Sequence, residues 1–287
     1  MLIDTHAHLD YPDFAGDFEA VLARAAEAGV TRIITIGTGI ESSRRAVALA
    51  EKHPQVFAVV GVHPTNVQDE PADFQQALRE LARHPKVAAI GETGLDYHRL
   101  PSEENLQSSP AMTALQAEVV EDISASVVDG AYRSAQADAF RVQLDLAAEL
   151  GLNVVIHQRD AWNDTVEILK PYTGKVRGVF HCFGNRPEQA AEILALGHLV
   201  SFTGIVTFKN AALVRETVAA ISADSFMVET DCPYLAPVPF RGRRCEPFHT
   251  RLVAEQIAEV RGQSLEDIAT LTTRTAEGFF RLHADAS

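Results

Sequence analysis

Cysteine is scarce. Cys182, Cys232 and Cys245 are the only three in 287 residues, and no two stand in a C-x-x-C spacing. An odd, unspaced set excludes a disulfide framework and fits reduced thiols in a cytoplasmic protein. Long hydrophobic runs are missing too: none approaches the ~18 apolar residues that span a bilayer, so no membrane association is expected. The N-terminus has no basic stretch ahead of an apolar one and is broken at once by Asp4, His6, His8 and Asp10, which argues against a signal peptide. Positive charge is short: 25 Lys and Arg stand against 39 Asp and Glu, a net charge of −14. That disfavours patch-driven duplex binding, which needs many cations on phosphates. It leaves room for a nucleic-acid enzyme, because bound divalent metals supply positive charge that the count omits. Internal repeats are absent as well.

What is present is an ordinary globular composition, 46% hydrophobic and 22% charged, enough for a large core. The length permits two domains or one α/β barrel. Short apolar or β-branched runs predict strands at Leu2–Thr5, Arg32–Gly37, Val56–Val62, Val87–Gly91, Asn153–His157, Val176–Phe180, Leu199–Phe202 and Phe226–Glu229. Helix-period stretches lie between them, at Asp17–Ala28 before the stop residue Gly29, Glu41–Lys52, Pro71–Arg83, Arg133–Leu150, Trp162–Leu169, Pro187–Leu196 and Asn210–Ile221. Arg251–Val260 and Leu265–Leu282 close the chain. Eight strands each followed by a helix or crossover predict an α/β fold, a (β/α)8 TIM barrel of one domain over residues 1–287. One segment breaks the rhythm. His98–Tyr132, with Pro101, Ser102, Ser108, Ser109 and Pro110, is expected as an insertion after strand four, partly helical within Thr113–Ile123. It is either a tolerated surface excursion or a lid.

Five clusters of ligand-type residues fall at predicted strand ends. In Asp4-Thr5-His6-Ala7-His8, strand alternation puts His6 and His8 on one face, a two-point metal grip, unless they are two unrelated N-terminal histidines. Glu92 follows the apolar run Val87–Ile90, where a carboxylate can bridge two cations or be a solvated loop residue; Asp96 reads as structural or as a partner to a ligand. His157 ends strand five, with Arg159 on its face, and His181 repeats the pattern at strand six. A lone histidine there is usually a satisfied core residue; the recurrence points to ligands. Glu229 and Asp231 share a face at strand eight, Asp231 outermost and Glu229 deeper, placed to orient a ligand histidine. Cys182 and Cys232 alternate outward and read as packing. Together His6, His8, Glu92, His157, His181 and Asp231 gather at the catalytic face of such a barrel. Imidazole and carboxylate ligands suit Zn, Mn, Fe or Ni, or Mg with water. Six ligands with a shared carboxylate fit two ions.

The stretches Ile3–Asp10 (IDTHAHLD), Gly61–Pro64 (GVHP), Ala89–Tyr97 (AIGETGLDY), Val155–Ala161 (VIHQRDA), His181–Gly184 (HCFG), Ser201–Lys209 (SFTGIVTFK) and Glu229–Pro247 (ETDCPYLAPVPFRGRRCEP) occur in order along nearly the whole chain. In them the sequence resembles the TatD-type metal-dependent deoxyribonucleases, a branch of the amidohydrolase-like barrels; the 98–132 segment is longer than the family's usual connection. The resemblance implies two divalent ions, Mg2+, Mn2+ or Zn2+. Residues matching His6, His8, Glu92 and Asp231 hold one, those matching Glu92, His157 and His181 the other. It also implies hydrolysis of DNA phosphodiesters, commonly 3′→5′ on single strands, with deacylation of D-aminoacyl-tRNA known among relatives.

The expected activity is therefore two-metal activation of water against single-stranded DNA or another nucleic acid. Asp231 and Glu92 are catalytic, with Asp231 accepting the water's proton. His63 donates to the scissile phosphate, unless it is a turn histidine before Pro64, and Arg159 clamps a phosphate, unless it pairs with a neighbouring carboxylate. Lys209, Arg241, Arg243 and Arg244 form a local basic set able to follow a backbone, each also readable as plain surface charge. The alternatives are aminoacyl-ester hydrolysis or a metal-binding protein without turnover. Many amidohydrolase barrels use a carbamylated lysine where Glu92 stands; Lys86 lies at the wrong end of its strand. No oligomerisation signal stands out, and a monomer is expected.

Overall fold

The structure, a computed structural model, describes residues 1–98, 100–102 and 114–282, with the backbone alone over 114–124. Eight strands form one parallel sheet in sequence order: β1 (Leu2–Ala7), β2 (Val30–Ile36), β3 (Val56–Val60), β4 (Val87–Asp96), β5 (Asn153–Arg159), β6 (Gly178–Phe180), β7 (Leu199–Phe202) and β8 (Phe226–Val228). The ends meet beyond β8. The Asp231 amide donates to the His6 carbonyl and the His8 amide to the Cys232 carbonyl, both at 2.8 Å. The result is a nearly closed (β/α)8 barrel, as the alternating pattern predicts.

The outer layer comprises α1 (Phe18–Glu27), α2 (Ile40–Lys52), α3 (Phe74–Leu81), α4 (Ala114–Leu150), α5 (Trp162–Leu169), α6 (Pro187–Ala195), α7 (Ala212–Ala220), α8 (Thr250–Arg261) and α9 (Leu265–Phe280). Local signals explain several ends. α1 stops before Gly29, whose φ of 87° few other residues accept. α9 starts at a capping box in which the Ser264 hydroxyl accepts from the Asp267 amide at 3.1 Å.

Two boundaries differ from the sequence expectation by more than three residues. β4 runs on from Gly91 to Asp96. α4 begins at Ala114 and runs unbroken to Leu150, so the helix expected within Thr113–Ile123 and the one expected from Arg133 are a single element; residues 99 and 103–113 lie outside the described residues. The stretch holds no proline and is rich in helix formers. Val127 and Val128, between the two expected segments, are exposed, so no buried apolar pair there joins their periods.

Two apolar layers hold the barrel. Inside it, Ile3, Ile34, Ile36, Val59, Ala89, Val155, Val179, Leu199 and Met227 pack with Phe279 and Phe280 at the C-terminal end of α9 and with Leu282 just beyond it. Asn153, the first residue of β5, donates to the Phe279 carbonyl, so this plug closes the N-terminal mouth. A second, larger cluster joins strands to helices. The opposite mouth is left for polar side chains.

Candidate metal centre

Alternation along the strands lifts the ligands out of the apolar layer. Val155, Val179 and Met227 line the interior, so His157, His181 and Glu229, two residues on, face the same way one step higher, with Asp231 above Glu229. His63 stands four residues after inward Val59. β4 alone departs from this. From inward Ala89, strict alternation turns Glu92 outward, but the register against β5 shifts between Ile90 and Thr93. That reset brings Glu92 inward, where it is 2% exposed among the histidines.

The two Glu92 oxygens face opposite halves of the ring. Oε2 lies 3.3 Å from His6 Nε2 and 3.9 Å from His8 Nε2. Oε1 lies 2.9 Å from His157 Nδ1, 2.8 Å from His181 Nε2 and 3.6 Å from His63 Nε2. Asp231 Oδ1 completes the first half, 3.3 Å from His8 Nε2 and 3.7 Å from His6 Nε2. Ligand atoms lie within 4.8 Å of one another in three groups: His6, Glu92 and His181; His6, His8 and Asp231; His63, Glu92 and His157. All six sequence-predicted ligands come together, and His63 joins them.

These residues fit a cation. His6 is fully buried, yet among the described residues neither of its ring nitrogens has a hydrogen-bond partner, and an unsatisfied buried polar atom costs about 1–3 kcal/mol. Nitrogens of His157 and His181 converge to 3.1 Å. A metal ion satisfies such converging lone pairs, and imidazole with carboxylate is a donor set taken by several divalent ions.

The outer nitrogens are held so that the inner ones face the cluster. His8 Nδ1 lies 3.2 Å from the Ile36 carbonyl, to which it donates, leaving Nε2 as the inward lone pair. His157 Nε2 meets Asp96 Oδ2 at 3.1 Å; His181 Nδ1 makes no hydrogen bond among the described residues but faces Glu229 Oε1 at 3.7 Å. Asp96→Asn is therefore expected to weaken Mn2+ binding or turnover by roughly 10–100-fold. Calorimetric titration with steady-state rates checks this, and a change below about twofold in both would sink it.

Charge follows the geometry. Burial opposes ionisation of Glu92, but the imidazoles of His181 and His6 outweigh it and hold the carboxyl well below its usual range. Asp231 is likewise held down against burial, by His8 above all. Burial, with His157 alongside, pushes His63 down to about 3. Its Nδ1 accepts from the Thr65 amide at 3.2 Å, which leaves Nε2 as the N–H facing the site. Burial pushes Asp4 up to about 8. Asp4 accepts from the Thr230 amide at 2.9 Å and the Thr230 hydroxyl at 2.6 Å, stitching β1 to the end of β8. No local signal in the sequence pairs residues so far apart.

Other expected residues fall elsewhere. Arg159, the last residue of β5, is exposed and makes no ion pair among the described residues. Arg244 is corrected outright: its guanidinium is committed to Asp17 at 2.8 Å and Glu246 at 2.7 Å, so it is not available to a nucleic-acid backbone. Lys209, Arg241 and Arg243 are exposed. Cys182 donates its amide to Glu229 at 2.7 Å; burial pushes its thiol up to about 12, and no metal-ligand group includes it. Cys232 is in the outer core, and all three cysteines are free. Lys86 donates to the Pro54 carbonyl at 2.7 Å, below the site. Among the described residues no helix is long and apolar enough to cross a membrane.

Comparison with known proteins extends these motifs to the whole chain. Residues 3–281 match the family described as TatD related DNase. The chain belongs to the TatD-related DNase family. Like other TatD-family members it is a metal-dependent hydrolase. It is 38% identical over 284 residues to the uncharacterized metal-dependent hydrolase YabD of Bacillus subtilis, covering 99% of this chain and 100% of that one. It is 34% identical over 288 residues to the 3′-5′ ssDNA/RNA exonuclease TatD of Pantoea vagans, covering 98% and 100%. The crystal structure of YJJV, a TatD homolog from Escherichia coli K12, superposes with a TM-score of 0.82 at 28% identity over 98% of each chain.

Proposed function

We propose that this TatD-family protein hydrolyses phosphodiester bonds of single-stranded DNA, working 3′→5′, as a cytoplasmic monomer that carries every ligand on one chain. The observation that carries the reading is the division of Glu92, one oxygen toward His6 and His8 and the other toward His157 and His181. His6, His8, Glu92 and Asp231 would hold one divalent ion, and Glu92, His157 and His181 a second. Bound there, Mg2+, Mn2+ or Zn2+ would polarise a phosphate oxygen and lower the pKa of water to near neutrality.

The protein's own groups do the rest. Asp231, its side chain 15% exposed and ionised, accepts the proton of the attacking water. His63 donates from Nε2 to a phosphate oxygen, its ring fixed by Thr65. Arg159, exposed at the rim, can take a second phosphate from the solvent side. The name of the Pantoea vagans relative supports the substrate class and the polarity.

The test is metal rescue. Protein stripped with chelator and given back Mg2+, Mn2+ or Zn2+ is expected to shorten 5′-labelled single-stranded DNA from its 3′ end, while Asp231→Ala does not. No cleavage with any metal, in protein that still binds metal, would overturn the reading and move the assignment to aminoacyl-ester hydrolysis.

A further inference from the structure

On the β8–β1 side the wall of the metal centre ends in aromatic surface. Tyr234 lies three residues beyond Asp231, and its amide donates to the Asp231 carbonyl at 3.0 Å. Tyr234 is 54% exposed, the only exposed phenylalanine, tyrosine or tryptophan among the described residues. Its hydroxyl makes no hydrogen bond among them. The ring is 6.5 Å from that of His8 and 6.3 Å from that of Tyr11. Tyr11 in turn lies nearly flat on His8, 4.9 Å away at 21°. The three rings make a step from the ligand cluster out to solvent.

The step is fixed in place. The Cys245 amide donates to the Pro233 carbonyl at 3.0 Å, closing residues 233–245 into a compact loop. The Val238 amide ties that loop to the Thr207 hydroxyl at 2.9 Å, and Arg241 stacks on Phe208 at 3.8 Å. Arg241 and Arg243 in the loop are exposed without ion pairs among the described residues, in a protein of net charge −14. Asp231 and, after it, Asp13 are the carboxylates that bear on Tyr234. The opposite rim, past β5, carries the exposed Asp160 and Asp164 alongside the exposed Arg159. Arg241 and Arg243 offer a phosphate chain two cations on the Tyr234 side.

We propose that Tyr234, braced by Tyr11, is the stacking platform for the terminal nucleobase of a single-stranded substrate whose scissile phosphate reaches the metal centre. The proposal rests on the nucleic-acid reading above and adds where the base sits. Every base has a π face, so stacking holds a strand without reading its sequence, and losing one aromatic platform weakens binding by roughly 10–100-fold. The exposed ring, one nucleotide's reach from the ligands, supplies that hold where the acidic composition supplies little.

The test reads binding apart from catalysis. Anisotropy of fluorescein-labelled oligothymidylate in chelator is expected to show a Kd for Tyr234→Ala roughly 10-fold or more above wild type, with Tyr234→Phe and Tyr234→Trp within about threefold. With Mn2+, the ratio of kcat/KM on the oligonucleotide to that on bis(4-nitrophenyl) phosphate should fall by a similar factor in Tyr234→Ala and be rescued in Tyr234→Trp. A 3′-terminal abasic nucleotide should bind wild type as weakly as the alanine variant binds the intact strand. Wild type that cleaves the oligonucleotide while Tyr234→Ala matches it in Kd and in that ratio overturns the platform alone. Wild type that neither binds nor cleaves DNA or RNA overturns the functional reading, and the platform with it.

Discussion

Glu92→Gln is expected to leave the barrel folded and to lower turnover by roughly 10³-fold or more. The change keeps the side chain's shape and removes its charge, so the inner nitrogens of His6, His157 and His181 no longer converge on a carboxylate. Loss of a single preorganised donor in an active site already costs about 10²–10³ in rate, and this residue serves both halves of the cluster. Metal titration needs no assumption about substrate: wild type should take up two Mn2+ ions and the variant at most one. Circular dichroism checks the fold. A variant that keeps two tight sites, or more than about a tenth of wild-type turnover, would remove the bridging role.

Gly94→Ala is expected to cost roughly 3 kcal/mol or more and to disable the site as well. Gly94 has a φ of 140°, which alanine adopts only under strain of about 1–3 kcal/mol. An added Cβ would also lie 2.0 Å from the His157 carbonyl oxygen. That neighbour is backbone, so β4 and β5 must move apart, and overpacking adds about 1–3 kcal/mol. The melting temperature should fall by about 6–12 °C. Displacing His157 by about 1 Å should reduce turnover roughly 10²-fold in the fraction that folds. Gly278→Ala is the control: in helix α9 nothing lies within 4 Å of the added carbon, and stability should rise by about 0.5–1 kcal/mol. If the two variants melt alike, the close approach of β4 to β5 is not what demands glycine at position 94.

Much of the site is legible because a parallel strand has a fixed period. His157 and His181 each stand two residues beyond an inward valine, so the apolar run announces both the strand and the face of the next polar residue. Where the period ends, the inference ends. Arg159, two residues beyond His157, is the last residue of β5 and is exposed, so its phase alone does not say what it touches. The join within α4 was not legible for the complementary reason: Val127 and Val128 are exposed, so no buried pair there carries the period from one expected helix to the next.

By itself, then, the sequence determined the eight-fold alternation of strands and helices, the identity of the ligand-type residues and their place at strand ends, since these depend on local pattern and chemistry. The tertiary structure alone decided which of them meet. The shift of register between Ile90 and Thr93 turned Glu92 into the ring, although its phase along β4 pointed the other way. Asp4 met Thr230 across the barrel seam, Arg244 was taken by Asp17 and Glu246, and Tyr11 and Tyr234 were brought beside His8. Those outcomes depend on closing a sheet whose first and last strands are more than two hundred residues apart, and no local period carries information across that distance.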